Sequence, residues 1–229
     1  MNFSFADVLP IAMLGGLLGL DVVGFPQAMV SRPLVAATLS GALIGEAFSG
    51  MLIGAALELI ALETLPFGAA KYPEWGSAAT VGGALFAANP SHPAGSMTMA
   101  VIASIATGWI GAWTMYQLRR LNAYGAHRHR SGLDAGARGT VIGLQLTGLS
   151  LDLLRGMLLT GVMYVAFRPL MTMMITVWDM EGMISRSLVV GVAASVAMGA
   201  AWKLFHAVPW ARWTFVGGLI IGLLFLLGK

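Results

Sequence analysis

The chain has 229 residues, 58% of them hydrophobic and only 10% charged, and its mean hydropathy is +0.81. Soluble domains carry about 25% charged residues, so this composition excludes an ordinary water-soluble fold and indicates a polytopic membrane protein. There is no cysteine, which excludes disulfides and thiolate metal sites, and the net charge of +3 supplies no basic face outside the lipid for nucleic acid.

The opening MNFSFADVLP holds no Lys or Arg before its apolar run, so no secretory signal peptide is expected. Apolar segments follow near 8–25, 33–53, 51–67, 76–88, 97–118, 139–166, 157–177, 187–205 and 213–228. Set against the roughly 20 residues of a spanning helix, they predict an all-α membrane bundle of about 7–9 segments, in one membrane domain over 1–229. Several of these segments overlap or are short.

Asp21 closes the first segment and reads as interfacial. Gln27 is neutral and bidentate, so it should face protein or a cavity rather than lipid. Ser31 and Pro33 mark a helix start, with Ser31 as a possible cap. Arg32 between them either anchors the helix at the interface or serves a site. Gly15 and Gly19, Gly41 and Gly45, and Gly50 and Gly54 recur at spacing four, the pattern that lets helices approach closely in lipid.

Glu58 sits deep in an apolar background, with Glu63 five residues on. Two residues five apart on a helix point about 140° away from each other, so the pair need not serve one site. An acid at the membrane centre costs about 2.5–3.5 kcal/mol on insertion scales. Such residues are usually functional, and Glu58 is the first candidate for a ligand contact. An ion pair with Arg32 or Lys71 is the alternative. The run LPFGAAKYPEWG (65–76) holds Pro66, Gly68, Pro73 and Gly76 beside Lys71 and Glu74, and NPSHP follows at 89–93. Residues 64–93 therefore read as irregular, as a re-entrant hairpin or as a loop and one short helix. Tyr72 and Trp75 suit either a sugar's apolar face or the headgroup belt.

From Arg119 to Arg138 there are five arginines and two histidines against Asp134, so this loop should be cytoplasmic. The segment 139–156 is punctuated by Gln145, Thr147, Ser150, Asp152 and Arg155. Asp152 and Arg155 are three apart and can pair on one face of a helix lying on the surface or facing the bundle interior. His92, His127, His129 and His206 show no metal-ligand spacing. No catalytic triad, nucleotide loop, metal site or cofactor site is expected.

The pattern SRPLVAATLSGALIGEAFSGMLIGAALELIAL followed by PFGAAKYPE resembles the IIC membrane subunit of the mannose/fructose/sorbose family of the bacterial phosphotransferase system. Gly54, Glu58 and Leu62 match one ordered element of that family, and Gly68, Ala69, Ala70, Pro73 and Glu74 another; Arg155 stands where the family has an arginine after its central loop. The resemblance implies a non-catalytic sugar permease in a bacterial inner membrane. It implies a IID membrane partner, soluble IIA and IIB phosphocarriers, and hetero- or homo-oligomers. A hexose-type sugar would be bound by Glu58, Gln27, Lys71, Glu74, Gly68 and Ala69, with Arg32, Asp152 and Arg155 in structural or interface roles. Gln27, Ser31 and Pro66 depart from the family pattern, and the alternative is a facilitator or structural subunit uncoupled from phosphotransfer.

Overall fold

The computed structural model describes residues 5–21, 24–64, 72–178, 180–205 and 210–227. Among them are nine helices and no strand: α1 (Phe5–Asp21), α2 (Pro33–Ile44), α3 (Ala47–Ala61), α4 (Trp75–Ala87), α5 (Ser96–Arg128), α6 (Arg130–Asp134), α7 (Arg138–Val177), α8 (Gly182–Phe205) and α9 (Ala211–Leu227). The spans Ser96–Arg128, Arg138–Val177 and Gly182–Trp202 are long and apolar enough to cross a bilayer. The chain is an all-α, multi-pass membrane bundle.

α5 has 33 residues and α7 has 40. At 1.5 Å per residue they run about 50 and 60 Å, well beyond a hydrocarbon core of about 30 Å. Their surplus forms a helical hairpin at what we call the near end, closed by the short α6. The sequence suggested a loop over Arg119–Arg138, yet α5 continues helically through Arg128. Leu118, Arg119, Arg120, Leu121 and Ala123 are all strong helix formers, and charge alone does not break a helix. The turn falls later, where Gly136 takes φ +66°. Residues 139–156 are likewise the first part of α7, and the two overlapping segments at 139–166 and 157–177 are one helix with Pro169 inside.

α2 and α3 have 12 and 15 residues, about 18 and 22 Å, so neither crosses the hydrocarbon alone. They fold back on each other as a hairpin. Gly45 ends α2 in the left-handed region (φ +97°), a conformation that favours glycine. A Cβ on Gly50 would lie 2.2 Å from the Ala37 carbonyl oxygen, so the glycine repeat here serves packing within the chain. Ser31 does not cap α2. Its backbone N–H and its hydroxyl instead donate to Asp21 Oδ2 at 3.0 and 2.9 Å. Asp21 is buried in the protein and fixes the 28–31 segment against the end of α1.

α4 is central and short. All of Gly76–Ala87 is buried, and α4 packs against α1, α2, α3, α5 and α7. Its small residues let five neighbours close around it. Of the two readings of 64–93, the one with a short helix describes Trp75–Ala87, which is regular throughout. Distorted backbone follows at the far end, where His92 (φ +46°) and Gly95 (φ +80°) turn the chain into α5. Residues 65–71 lie outside the described residues. α1 crosses α7 at another close approach, a Cβ on Gly156 falling 2.9 Å from Gly16 Cα. α8 packs on α3 and α5, and α9 touches α8 alone among the described helices.

Candidate functional site

Glu74 is the N-cap of α4. Its Oε1 accepts from the Ser77 backbone N–H at 3.0 Å, satisfying one of the orphan donors of the helix start. Its own N–H donates to the Gly108 carbonyl at 2.9 Å. Gly108 lies twelve residues into α5, about 18 Å along that helix, so α4 begins near mid-depth of the bundle rather than at a surface. The residue is only 2% exposed, and its Oε2 has no partner.

Asp152 and Arg155 pair across one turn of α7, as the spacing predicted. Arg155 Nε donates to Asp152 Oδ1 at 2.8 Å, and both side chains are 9% exposed. Arg155 Nη1 also donates to Thr114 Oγ1 at 3.2 Å, joining α7 to α5. Its Nη2 is buried without a partner. The Glu74 and Arg155 side chains both approach Gly19. The position a Cβ would take there is 3.6 Å from Arg155 Nη2, 3.6 Å from Glu74 Oε1 and 3.5 Å from Ser77 Oγ. Gly111 on α5 lets the Glu74 side chain pack directly against that helix, since a Cβ there would fall 2.7 Å from Glu74 Cβ and 3.3 Å from Oε2. The result is a buried polar cluster with an unfilled acceptor on Glu74 and an unfilled donor on Arg155.

A cleft of about 800 Å³ between the near-end extensions of α5 and α7 leads toward this pocket. Met115, Leu151, Asp152, Arg119, Asn122 and Gln145 are among the residues that line it. Asp152 is therefore shared. It lines the cleft and also holds Arg155, whose side chain approaches Gly19 together with that of Glu74.

Glu58 is elsewhere and is engaged. Its Oε1 accepts from Arg32 Nε at 2.7 Å and from Arg32 Nη2, and its Oε2 accepts from the Leu34 N–H at 3.2 Å. The residue thus latches the open ends of the α2–α3 hairpin and supplies the start of α2 with the acceptor that Ser31 does not. Of the two partners considered for it, Arg32 is the one present. Lys71, Gly68 and Ala69 lie outside the described residues. Gln27 is exposed, in a left-handed conformation (φ +59°), on the segment that Asp21 holds. Trp75 Nε1 donates to Thr64 Oγ1 at 3.0 Å, and the Tyr72 hydroxyl accepts from Arg119 Nη2 at 3.3 Å. Glu74 and Arg155 are thus brought together, and Glu58 and Gln27 are kept apart from them. Ser77, Thr114 and Gly111 complete the cluster without a sequence signal of their own, and Gly19 was marked only by its spacing from Gly15. A hydroxyl in an apolar helix is common, and only the neighbouring charges give these four meaning.

A family model of the sorbose-specific IIC component of the phosphotransferase system matches residues 5–226. The chain belongs to that family. It is accordingly a IIC component, a sugar-permease part of a phosphotransferase system that works with other components of that system. No curated protein matches the chain. A solved structure titled "Structure of membrane protein" shares its fold at a TM-score of 0.76 and 18% identity, covering 96% of this chain and 88% of that one.

Proposed function

We propose that this IIC component binds a hexose-type sugar within the membrane in the pocket between α4 and α7 and presents it for phosphorylation by a IIB carrier beside a IID membrane partner. The carrying observation is a pair of buried groups without a partner, Glu74 Oε2 and Arg155 Nη2, on side chains that both approach Gly19. A buried polar group without a partner costs about 1–3 kcal/mol, so leaving two together favours a ligand that completes them. A sugar hydroxyl is both donor and acceptor. It can donate to Glu74 and accept from Arg155 in one contact, and vicinal hydroxyls can extend the contact to Ser77 and Thr114. Asp152 holds Arg155 in place. The positively charged near end, with Arg119, Arg120, Arg128, Arg130 and Arg138, is then the cytoplasmic end of an inner-membrane protein.

The test is phosphoenolpyruvate-dependent accumulation of sugar phosphate by the complete complex carrying Glu74→Gln or Arg155→Lys. Transport at the wild-type apparent affinity in both variants would exclude this pocket as the sugar site. Saturable uptake of unphosphorylated sugar that ignores a phosphorylated IIB would favour the uncoupled facilitator instead.

A further inference from the structure

One stretch of α5 holds both charged partners of the pocket, and it holds them apart. Gly108, Gly111 and Thr114 follow at spacing three, so each neighbours the next on the surface of that helix. The Gly108 carbonyl takes the Glu74 N–H at 2.9 Å, and Gly111 lets the Glu74 side chain lie directly on the helix. Thr114 holds the other partner. Its hydroxyl donates to the Gly111 carbonyl at 2.9 Å, which commits its only proton. Toward Arg155 it is therefore an acceptor, and it takes Nη1 at 3.2 Å. Asp152 takes Nε at 2.8 Å. A planar guanidinium bonded through two of its three nitrogens has its orientation fixed, and here Nη2 is the nitrogen left without a partner. Opposite charges in a low-dielectric interior attract strongly. Yet among the described residues no ion pair joins Arg155 to Glu74: Arg155 pairs with Asp152, and Glu74 Oε2 accepts nothing. Both side chains approach one point at Gly19, 3.6 Å from Arg155 Nη2 and 3.6 Å from Glu74 Oε1. The direct pair that would satisfy both groups is within a side chain's swing and is not made.

We propose that Thr114 is a positioning residue for sugar binding: by anchoring the Arg155 guanidinium to α5, it keeps Arg155 off Glu74 and leaves open the gap that a sugar hydroxyl fills. This rests on the reading of the Glu74–Arg155 pocket as the sugar site. Without the Thr114 hydroxyl, Nη1 loses its acceptor, and the carboxylate with an unfilled oxygen on the same approach to Gly19 is Glu74. An arginine turned onto that oxygen satisfies both groups inside the protein, and sugar must then break the pair to enter. The arrangement gives up some stability for an open site.

The test measures uptake by the complete complex, scored on whichever of sorbose, fructose and mannose the wild type accumulates, together with the thermal midpoint of the purified chain. Thr114→Val keeps the branched shape and removes the acceptor. It should raise KM about tenfold while the midpoint holds or rises, and Thr114→Ser, which keeps the hydroxyl, should restore KM. A merely structural bond would lower the midpoint instead. The steady midpoint depends on Glu74: in a Glu74→Gln background Thr114→Val should lower it, because the freed guanidinium then has no charged acceptor to turn to. In an Arg155→Lys background Thr114→Val should add nothing to KM. An unchanged KM in Thr114→Val where Glu74→Gln and Arg155→Lys each raise it overturns the proposal. So does a midpoint that falls equally in the wild-type and Glu74→Gln backgrounds, and so does a second rise of about tenfold on top of Arg155→Lys, since Thr114 would then meet the sugar itself. If none of the three single variants moves KM, the sugar pocket fails instead, and the midpoints alone decide whether Thr114 holds Arg155 off Glu74.

Discussion

Glu74 offers a sharp test because its two oxygens do different work. Oε1 caps α4 through Ser77, and Oε2 has no protein partner. Glu74→Gln keeps an acceptor for the cap and turns a charged acceptor into a neutral one at the pocket. A hydrogen bond to a charged group is worth about 1.5–3 kcal/mol and a neutral one about 0.5–1.5, so the exchange costs about 1–1.5 kcal/mol of sugar binding. That converts to an apparent affinity about 5- to 12-fold weaker. Glu74→Ala loses the whole contact and also the cap, at about 1 kcal/mol of stability. The assay pairs the KM for sugar uptake by the assembled complex with the thermal midpoint of the purified chain in detergent. The Gln variant should move KM with a small shift in midpoint, and the Ala variant should move both. An unchanged KM in Glu74→Gln, or a loss of stability as large as that of Glu74→Ala, would refute the division of labour between the two oxygens.

Glu58→Gln should lower thermal stability more than sugar affinity, because its carboxylate is spent on Arg32 and on the start of α2. With the two side chains 26% and 24% exposed, a double-mutant cycle with Arg32→Gln should give a coupling of about 0.5–1 kcal/mol, since solvent screens the pair; a KM raised about tenfold with stability intact would return Glu58 to the ligand set. Gly50→Ala should destabilise by about 1–3 kcal/mol through overpacking against Ala37, whereas Gly139→Ala, with nothing within 4 Å, should not. Denaturation midpoints of the two variants check this directly. The pKa of His92, in the far-end turn, is held below the ordinary histidine value mainly by burial and then by Arg186, and the ring bonds Ser49 Oγ at 2.8 Å. Its folded pKa is depressed, so the unfolded chain binds the proton more readily. Stability should be full above pH 6.5 and fall as pH drops below it, and His92→Gln should flatten that slope in thermal melts between pH 7.5 and 5, where about 6.5 is the unperturbed midpoint.

The helical bundle and its family were legible in the sequence because both live in short-range pattern: apolar runs, glycine spacing, and the ordered elements around Glu58 and Glu74. Asp152 and Arg155 were legible as a pair because three residues on a helix is a contact. The partner of Glu58 was not decidable, since Arg32 and Lys71 were both plausible by charge and only the return of α3 along α2 brings Arg32 within reach. The proline- and glycine-rich run over 65–76 pointed to broken backbone, and the short helix over Trp75–Ala87 was legible only as one of two readings of 64–93. What defines α4 is the small size of its residues, which matters only once five neighbours surround it. The meeting of Glu74 with Arg155 depends on where α4 begins along α5, a tertiary fact that no local pattern carries.

That starting point also answers the energetic question posed by acids at membrane depth. Two carboxylates, Glu74 and Asp152, lie near one guanidinium, so Arg155 alone leaves one negative charge uncompensated. The remaining compensation comes from backbone. A helix N-terminus carries roughly half a positive charge in its unpaired N–H groups, and Glu74 sits on the N-terminus of α4 with one oxygen on such an N–H. A full-length spanning helix would put that positive end at the membrane surface, where it stabilises nothing buried. Shortening α4 to 13 residues moves it inward to where an acid needs it, the device by which broken helices in transporters place polar groups at mid-depth. Glu74 at the near-mid-depth start of α4 is therefore as much a consequence of the short helix as the helix start is of its cap. Lengthening α4 at its N-terminus would remove the pocket even with every polar side chain retained.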